Sequence, residues 1–462
     1  MNLDKYTDDI IKTIQELVKI KTVQDTPVEG GPFGKGNKEC LEKALTIAKS
    51  LGFKVKNLDG YCGYAEIGEG KELVGIIGHL DVVPEGEGWK YPPYSATIAD
   101  DAIWGRGTLD DKGPIIISLY AIKALMDSGY KFKKRVRVIF GCNEESGSRC
   151  MEHYLEVDEP ISYGVSPDSS FPVIFAEKTI NNLKLSGKVQ NKGNVKLLSF
   201  DAGIVINAVP DKCVFTIKYQ NENEKTLMID NNLSKNNITF EKEENGLLVT
   251  YTVHGKAAHG SVPQFGINAA SYAIDALYGV VDNDFVNFYY DVIGLCVHGE
   301  KMGCYAEDRF GPIAVNVGIV KYQNDEFNIL INSRLPFNTN SDIMEKQIKE
   351  NIDKYPFVTL TMLGSSNGFI MDENSIMIQS LLKAYQDVTH DYKTKPICSA
   401  GGTYAREFKN CVAFGPEMDG YGELIIHQPN EKISIKMIKD VMKIYYQAYK
   451  DLIEEVSFEW KS

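Results

Sequence analysis

The segment Leu73-Val-Gly-Ile-Ile-Gly-His79 restricts the fold more than any other stretch of this chain. Its apolar run reads as a buried strand that ends on an imidazole. The sequence around it alternates in kind. Ile115–Met126 is an apolar helix, with Pro114 near its start and Gly129 just past its end, the usual asymmetry of helix punctuation. A strand follows over Arg135–Phe140, then a short helix around Arg149–Leu155 and another strand at Ile161–Val165. Strand, helix, strand, helix predicts an α/β domain with a mostly parallel central sheet.

From about Lys178 the texture changes. Alternating segments such as Asn182–Ser186, Val214–Lys218 and Leu247–Tyr251 are separated by Asn- and Lys-rich turns, with helical runs near Ala269–Val280 and Ile343–Ile352. Near Asn374 a long amphipathic helix resumes over Ile376–Val388, followed by an apolar strand at Leu424–Ile426 and a last helix, Ile435–Ile453. This predicts a discontinuous α/β domain of residues 1–177 and 372–462, interrupted by an inserted α+β domain of residues 178–371.

Composition excludes several function classes. A formal net charge of -13 makes a phosphate-backbone partner a poor prospect. No apolar run reaches the roughly 18 residues that a membrane span requires. The first 20 residues read as an amphipathic helix with Asp8 and Asp9 in its first turn, not as a secretory signal. The nine cysteines are scattered without a C-x-x-C pair, which fits reduced thiols. The expectation is a cytoplasmic protein with neither a nucleic acid nor a membrane partner.

The polar residues around the α/β strands carry the chemistry. His79 ends the first strand in GHLDVVP, and Asp110-Asp111 lead into the first long helix in GRGTLDDKGP. Glu144-Glu145 follow the second strand in GCNEESGS, Asp168 follows the third in VSPDSS, and His427 follows Leu424–Ile426 in IIHQPNE. Ligand sites in open α/β sheets form outside the carboxyl ends of the strands, so these residues can converge. Taken singly, each is an ordinary turn or helix-start residue. Together, two imidazoles and several carboxylates suit Zn²⁺, Mn²⁺ or Co²⁺. Two cations about 3.5–4 Å apart, bridged by one carboxylate, would relieve the repulsion of the crowded acids. The Glu144-Glu145 doublet then allows one ligand and one free base.

In that order, GHLDVVP, GRGTLDDKGP, NEESGS, SPDSSFP and HQPNE resemble the di-zinc exopeptidase family. That family includes dipeptidases, glutamate carboxypeptidases, acetylornithine deacetylase and succinyl-diaminopimelate desuccinylase. The resemblance implies that His79, Asp110 and Asp168 hold one metal and that Asp110, Glu145 and His427 hold the other. It implies a cis Asp110–Asp111 peptide, Asp81 orienting His79, and amide hydrolysis with Glu144 as the general base. Zn²⁺ is the family default. Asn143 departs from the commonest pattern, in which an Asp precedes the Glu pair.

The inserted segment adds further candidates. His259 in HGKAAHGSVP resembles the family's lid histidine, which donates to the oxyanion, and His254 is the weaker match. Arg334 in INSRLPFN resembles a lid residue that holds the substrate carboxylate, and Asn207 in INAVPD resembles a substrate contact. Without the resemblance, Arg334 reads as half of a surface ion pair and Asn207 as a turn residue. Gly401-Gly402-Thr403 within GGTYAR could present backbone N–H groups to a carboxylate; its plain reading is a glycine turn. The long insertion together with GGTYAR resembles the peptidase V-type, carnosinase-like dipeptidases. That implies a monomer acting on unblocked dipeptides, β-alanyl ones included. An N-acyl amino acid deacylase shares every metal ligand, and a non-catalytic metal-binding protein would not need a free base. A nucleotide-binding oxidoreductase lacks the G-x-G-x-x-G spacing.

Overall fold

The computed structural model describes residues 2–224, 226–422 and 424–457. The chain divides into two compact units, Met1–Glu177 with Ile370–Ser462, and Lys178–Phe369.

The first unit is built on a mixed sheet. Its strands run in the order Lys54–Leu58, Cys62–Ile67, Arg135–Gly141, Leu73–His79, Tyr163–Ser166, Cys411–Ala413 and Ile174–Glu177. The centre is parallel: Leu73–His79 pairs with Arg135–Gly141 on one side and Tyr163–Ser166 on the other. The Lys54 edge is an antiparallel hairpin, which pairs antiparallel with Arg135–Gly141. Every residue of Leu73–His79 is buried, as a strand covered on both faces requires.

Helix Lys112–Asp127 packs on this sheet and against Ile435–Glu455, which in turn packs on Ile376–Thr389. Lys112–Asp127 is buried around most of its circumference, the pattern of a helix enclosed by other elements. The N-terminal helix Thr7–Val18 has Asp8 and Asp9 in its first turn and buries Ile10, Ile14, Leu17 and Val18.

One expected element is absent. Leu424–Ile426 forms no strand; the chain there is irregular, and Ile426 is exposed. Three apolar residues cannot secure a ladder without a neighbouring strand. The run is closed by His427 in the left-handed region, at φ 59. The nearby pairing is made instead by Lys432–Ser434, antiparallel to Ala102–Trp104.

The second unit is an eight-stranded antiparallel sheet. Its order is Phe240–Asn245, Leu248–His254, Lys212–Tyr219, Val195–Ala202, Ala314–Gln323, Glu326–Leu335, Thr179–Lys188 and Val358–Ser366. Burial alternates along Lys212–Tyr219 and Thr179–Lys188, so one face is apolar. Helices Ala269–Leu277 and Asp284–Val292 contribute Ile274, Leu277, Phe285 and Phe288 to the core that covers this face.

Candidate metal centre and active site

The site is built from five segments of the first unit, which carry His79, Asp110, Glu144-Glu145, Asp168 and His427. His79 is the last residue of its strand and is fully buried. Its Nδ1 lies 2.9 Å from the backbone oxygen of Asp81. Donation there leaves the Nε2 lone pair for a ligand. The Asp81 carboxylate is 3.6 Å from the ring. Its hydrogen bonds are made elsewhere: Oδ1 accepts from the Glu144 N–H at 3.0 Å and Oδ2 from the Glu145 N–H at 3.1 Å. Asp81 therefore steadies the imidazole with its main chain and the acidic doublet with its side chain.

Asp110 lies between the two histidines. Its Oδ1 is 2.9 Å from His79 Nε2, and its Oδ2 is 2.9 Å from His427 Nε2. His79 Nε2 is also 3.6 Å from Asp168 Oδ2, and His427 Nε2 is 3.2 Å from Glu145 Oε2. Donor atoms of His79, Glu144 and Asp168 lie within 4.8 Å of one another, as do those of His79, Asp110 and Glu145. His427 approaches from the open side, its side chain half exposed. The Asp110–Asp111 peptide is cis. Asp111 turns inward and accepts the His79 N–H at 3.0 Å.

The electrostatics expose an excess of negative charge. Burial raises the Asp168 carboxyl, and Asp110 and Glu145 add to it, so that it reaches about 7 despite His79. Glu144 is pushed well above the ordinary carboxylate range by burial and then by the Asp168 charge. Burial and Asp110 raise Glu145. Burial opposes the charged form of His427, but contacts with Asp110 and Glu145 outweigh it and raise the imidazole to about 11. Asp110 moves the other way, because the two histidines outweigh its burial. Crowded carboxylates of this kind suit a cation. The all-N/O donor set is that of a borderline divalent ion.

Asn143 is buried and organises the loop around the doublet: its Oδ1 accepts from the Arg149 N–H, and its Nδ2 donates to Gln24 and Ser146. In the Gly401–Thr403 turn, the N–H groups of Gly401 and Thr403 are already engaged. Gly401 donates to Ser399 Oγ at 2.9 Å, and Thr403 donates to Glu177 through both N–H and hydroxyl. Those two N–H groups are therefore not a preformed anion cradle. Arg406 holds the same Glu177, with Nε 3.0 Å from Oε2.

In the second unit, His259 is exposed and its Nδ1 lies 2.6 Å from Ser261 Oγ. The Asn207 backbone oxygen accepts the Gly260 N–H at 2.7 Å, so Asn207 and His259 sit on adjoining segments. Arg334 is only 4% exposed, on the strand Glu326–Leu335, which removes the surface ion-pair reading. His254 pairs with Glu241 at the surface, 3.2 Å apart.

Sequence reasoning assigned no role to Asp111, Arg106, Glu431 and Tyr404, although all four lie inside the motifs GRGTLDD, HQPNE and GGTYAR. The Tyr404 ring meets His79 edge-on with centroids 6.2 Å apart, and its hydroxyl is 2.8 Å from Cys150 Sγ. Glu177 lies in no motif, and only its buried contacts single it out.

Comparison with known proteins gives a consistent result. The family model described as peptidase family M20/M25/M40 matches residues 75–451. A protein of Staphylococcus haemolyticus named "Putative dipeptidase" is 32% identical over 466 residues, covering 98% of this chain and 99% of its own. A protein of Staphylococcus aureus bearing the same name is 34% identical over 471 residues, with the same coverage. Human carnosine dipeptidase 1 has a similar fold, with a TM-score of 0.60 at 16% identity, across 98% of this chain and 97% of that one.

Proposed function

The chain belongs to peptidase family M20/M25/M40, and from that premise we propose that it is a metal-dependent dipeptidase acting on unblocked dipeptides. One observation carries the reading of the centre: the two oxygens of Asp110 each face a different histidine at 2.9 Å. Such a carboxylate would be able to serve two cations, one beside each histidine. The narrower substrate class is supported by relatives named as dipeptidases that match nearly the whole chain.

His79, Asp110 and Asp168 would hold one divalent ion, and Asp110, Glu145 and His427 the other, Zn²⁺ by default and Mn²⁺ or Co²⁺ by ligand type. Such ions supply Lewis acidity and lower the pKa of a coordinated water toward about 7. The protein's own groups do the rest. Asp81 fixes the backbone of the acidic doublet, so Glu144 presents a carboxylate at a set position. A carboxylate held there can accept a proton from water and return it to the leaving amine. His259 would donate to the developing oxyanion. Arg334 and Asn207 would contact the substrate, and Gly401–Thr403 would lie near its carboxylate, with Glu177 holding that turn in place. A monomer is the proposed working state.

The test is a substrate panel. Protein stripped with a chelator and reloaded with Zn²⁺ or Mn²⁺ is assayed for amine release from dipeptides, tripeptides, N-blocked dipeptides and N-acyl amino acids. Metal-dependent cleavage confined to free dipeptides is expected. Cleavage of N-acyl amino acids instead would move the protein to the deacylases.

A further inference from the structure

Between Trp104 and Lys112 the chain carrying Asp110 has no regular secondary structure, yet it is buried. Its backbone N–H groups need acceptors. One side chain supplies them. Oε1 of Glu431, a residue with no exposed surface, accepts from the N–H of Gly107 at 2.9 Å, of Leu109 at 2.9 Å and of Asp110 at 3.2 Å. Its Oε2 takes Arg106 Nη1 at 2.7 Å. The Glu431 backbone oxygen accepts the Gly105 N–H at 3.0 Å, and Lys432 continues the register opposite Trp104. Glu431 lies four residues beyond His427, on the same loop.

We propose that Glu431 is a positioning residue for the metal centre: its single carboxylate clamps the Asp110 turn to the His427 loop and so sets the spacing of the two ligands they carry. The inference rests on the reading of Asp110 and His427 as ligands. Two features separate it from a plain buried ion pair. Three of the four contacts are to backbone, and the last is the N–H of Asp110 itself. The two carboxylate oxygens are also not interchangeable with an amide. A glutamine has one acceptor oxygen and one NH₂ donor, so it can serve the turn or Arg106, but not both.

The experiment measures Zn²⁺ affinity and stoichiometry by chelator competition, with the melting temperature of each metal-free protein, for wild type, Glu431→Gln, Glu431→Asp, Arg106→Met and Glu177→Gln. Glu177→Gln is a control, a buried Glu–Arg pair of the same unit that does not touch the Asp110 turn. The Glu431 variants are expected to bind at least one ion ten-fold or more weakly, in line with the effect of losing an outer-shell partner. Their kcat should fall while KM for a dipeptide changes little. Arg106→Met and Glu177→Gln should melt lower but keep wild-type affinity. Wild-type affinity in both Glu431 variants, or an equal loss in Glu177→Gln, overturns the positioning role. Absence of divalent-ion binding by wild type itself would instead overturn the metal reading on which it rests.

Discussion

Asp81 shows how much of a residue's work is hidden from the sequence. The motif GHLDVVP suggested a carboxylate holding a ring; the backbone oxygen makes the hydrogen bond, while the carboxylate lies 3.6 Å from the ring and also holds the Glu144 and Glu145 N–H groups. Asp81→Ala should therefore weaken metal binding through Glu145 as well as lower kcat. A variant with normal metal content and normal kcat would contradict this. Glu144 sits near enough to His79 and Asp168 to be a ligand, so its substitution decides its role. Glu144→Gln is expected to retain two ions by elemental analysis while kcat falls about 10²–10⁴-fold, the usual contribution of a general base; loss of an ion would make it a ligand. Gly78 is constrained by the same site. A Cβ there would lie 2.2 Å from Asp111 Oδ2, so Gly78→Ala should displace Asp111 from the His79 N–H and destabilise the fold by about 1–3 kcal/mol, read from urea unfolding.

At the scale of elements, the long helices and the buried central strands were legible, and the short apolar run before His427 was not. Lys112–Asp127 lies where an apolar run between Pro114 and Gly129 put a helix, and Ile376–Thr389 and Ile435–Glu455 lie where helices were read over 376–388 and 435–453. Leu424–Ile426 failed because a strand exists only through a partner, and partners are not written locally. The strand Arg135–Gly141 illustrates another hidden term. Arg137 is 2% exposed and reaches Glu66 at 2.6 Å, Asp158 at 3.1 Å and Glu159 at 3.3 Å, tying the sheet edge to the end of helix Arg149–Val157. Arg137→Met should cost about 1.5–3 kcal/mol at pH 7, since it removes charge-assisted hydrogen bonds to the partly exposed Glu66 and Asp158. Burial alone would raise Asp158, but Lys56 and Arg137 outweigh it and hold it below its ordinary value; Arg135 does the same, as the leading cause, for Glu159. Lowered folded-state values contribute stability that is complete above the unfolded values near about pH 4 and is lost as pH falls through the folded ones. The gap between wild type and Arg137→Met should therefore narrow from pH 7 to pH 3 in urea titrations. A gap independent of pH would assign the loss to packing.

At the scale of the molecule, the second unit has its own apolar core from Leu183 to Ile352. Residues 178–369 expressed alone should give one cooperative thermal transition by circular dichroism; a broad, non-cooperative melt would show that this unit depends on the rest of the chain. No helix among the described residues is long and apolar enough to cross a membrane. The sequence by itself determined the fold class and the family, because periodicity and short motifs are local and survive without knowledge of partners. It also named the residues that meet around Asp110, since all of them lie in short recognisable motifs. Only the tertiary structure decided which atoms of those residues do the holding. It alone revealed the acceptors that the buried turns use, Glu431 beneath the Asp110 turn and Glu177 beneath the Gly401 turn. The reason is physical: a buried N–H must find an acceptor, but the acceptor that reaches it is fixed by how distant segments pack, not by neighbours along the chain.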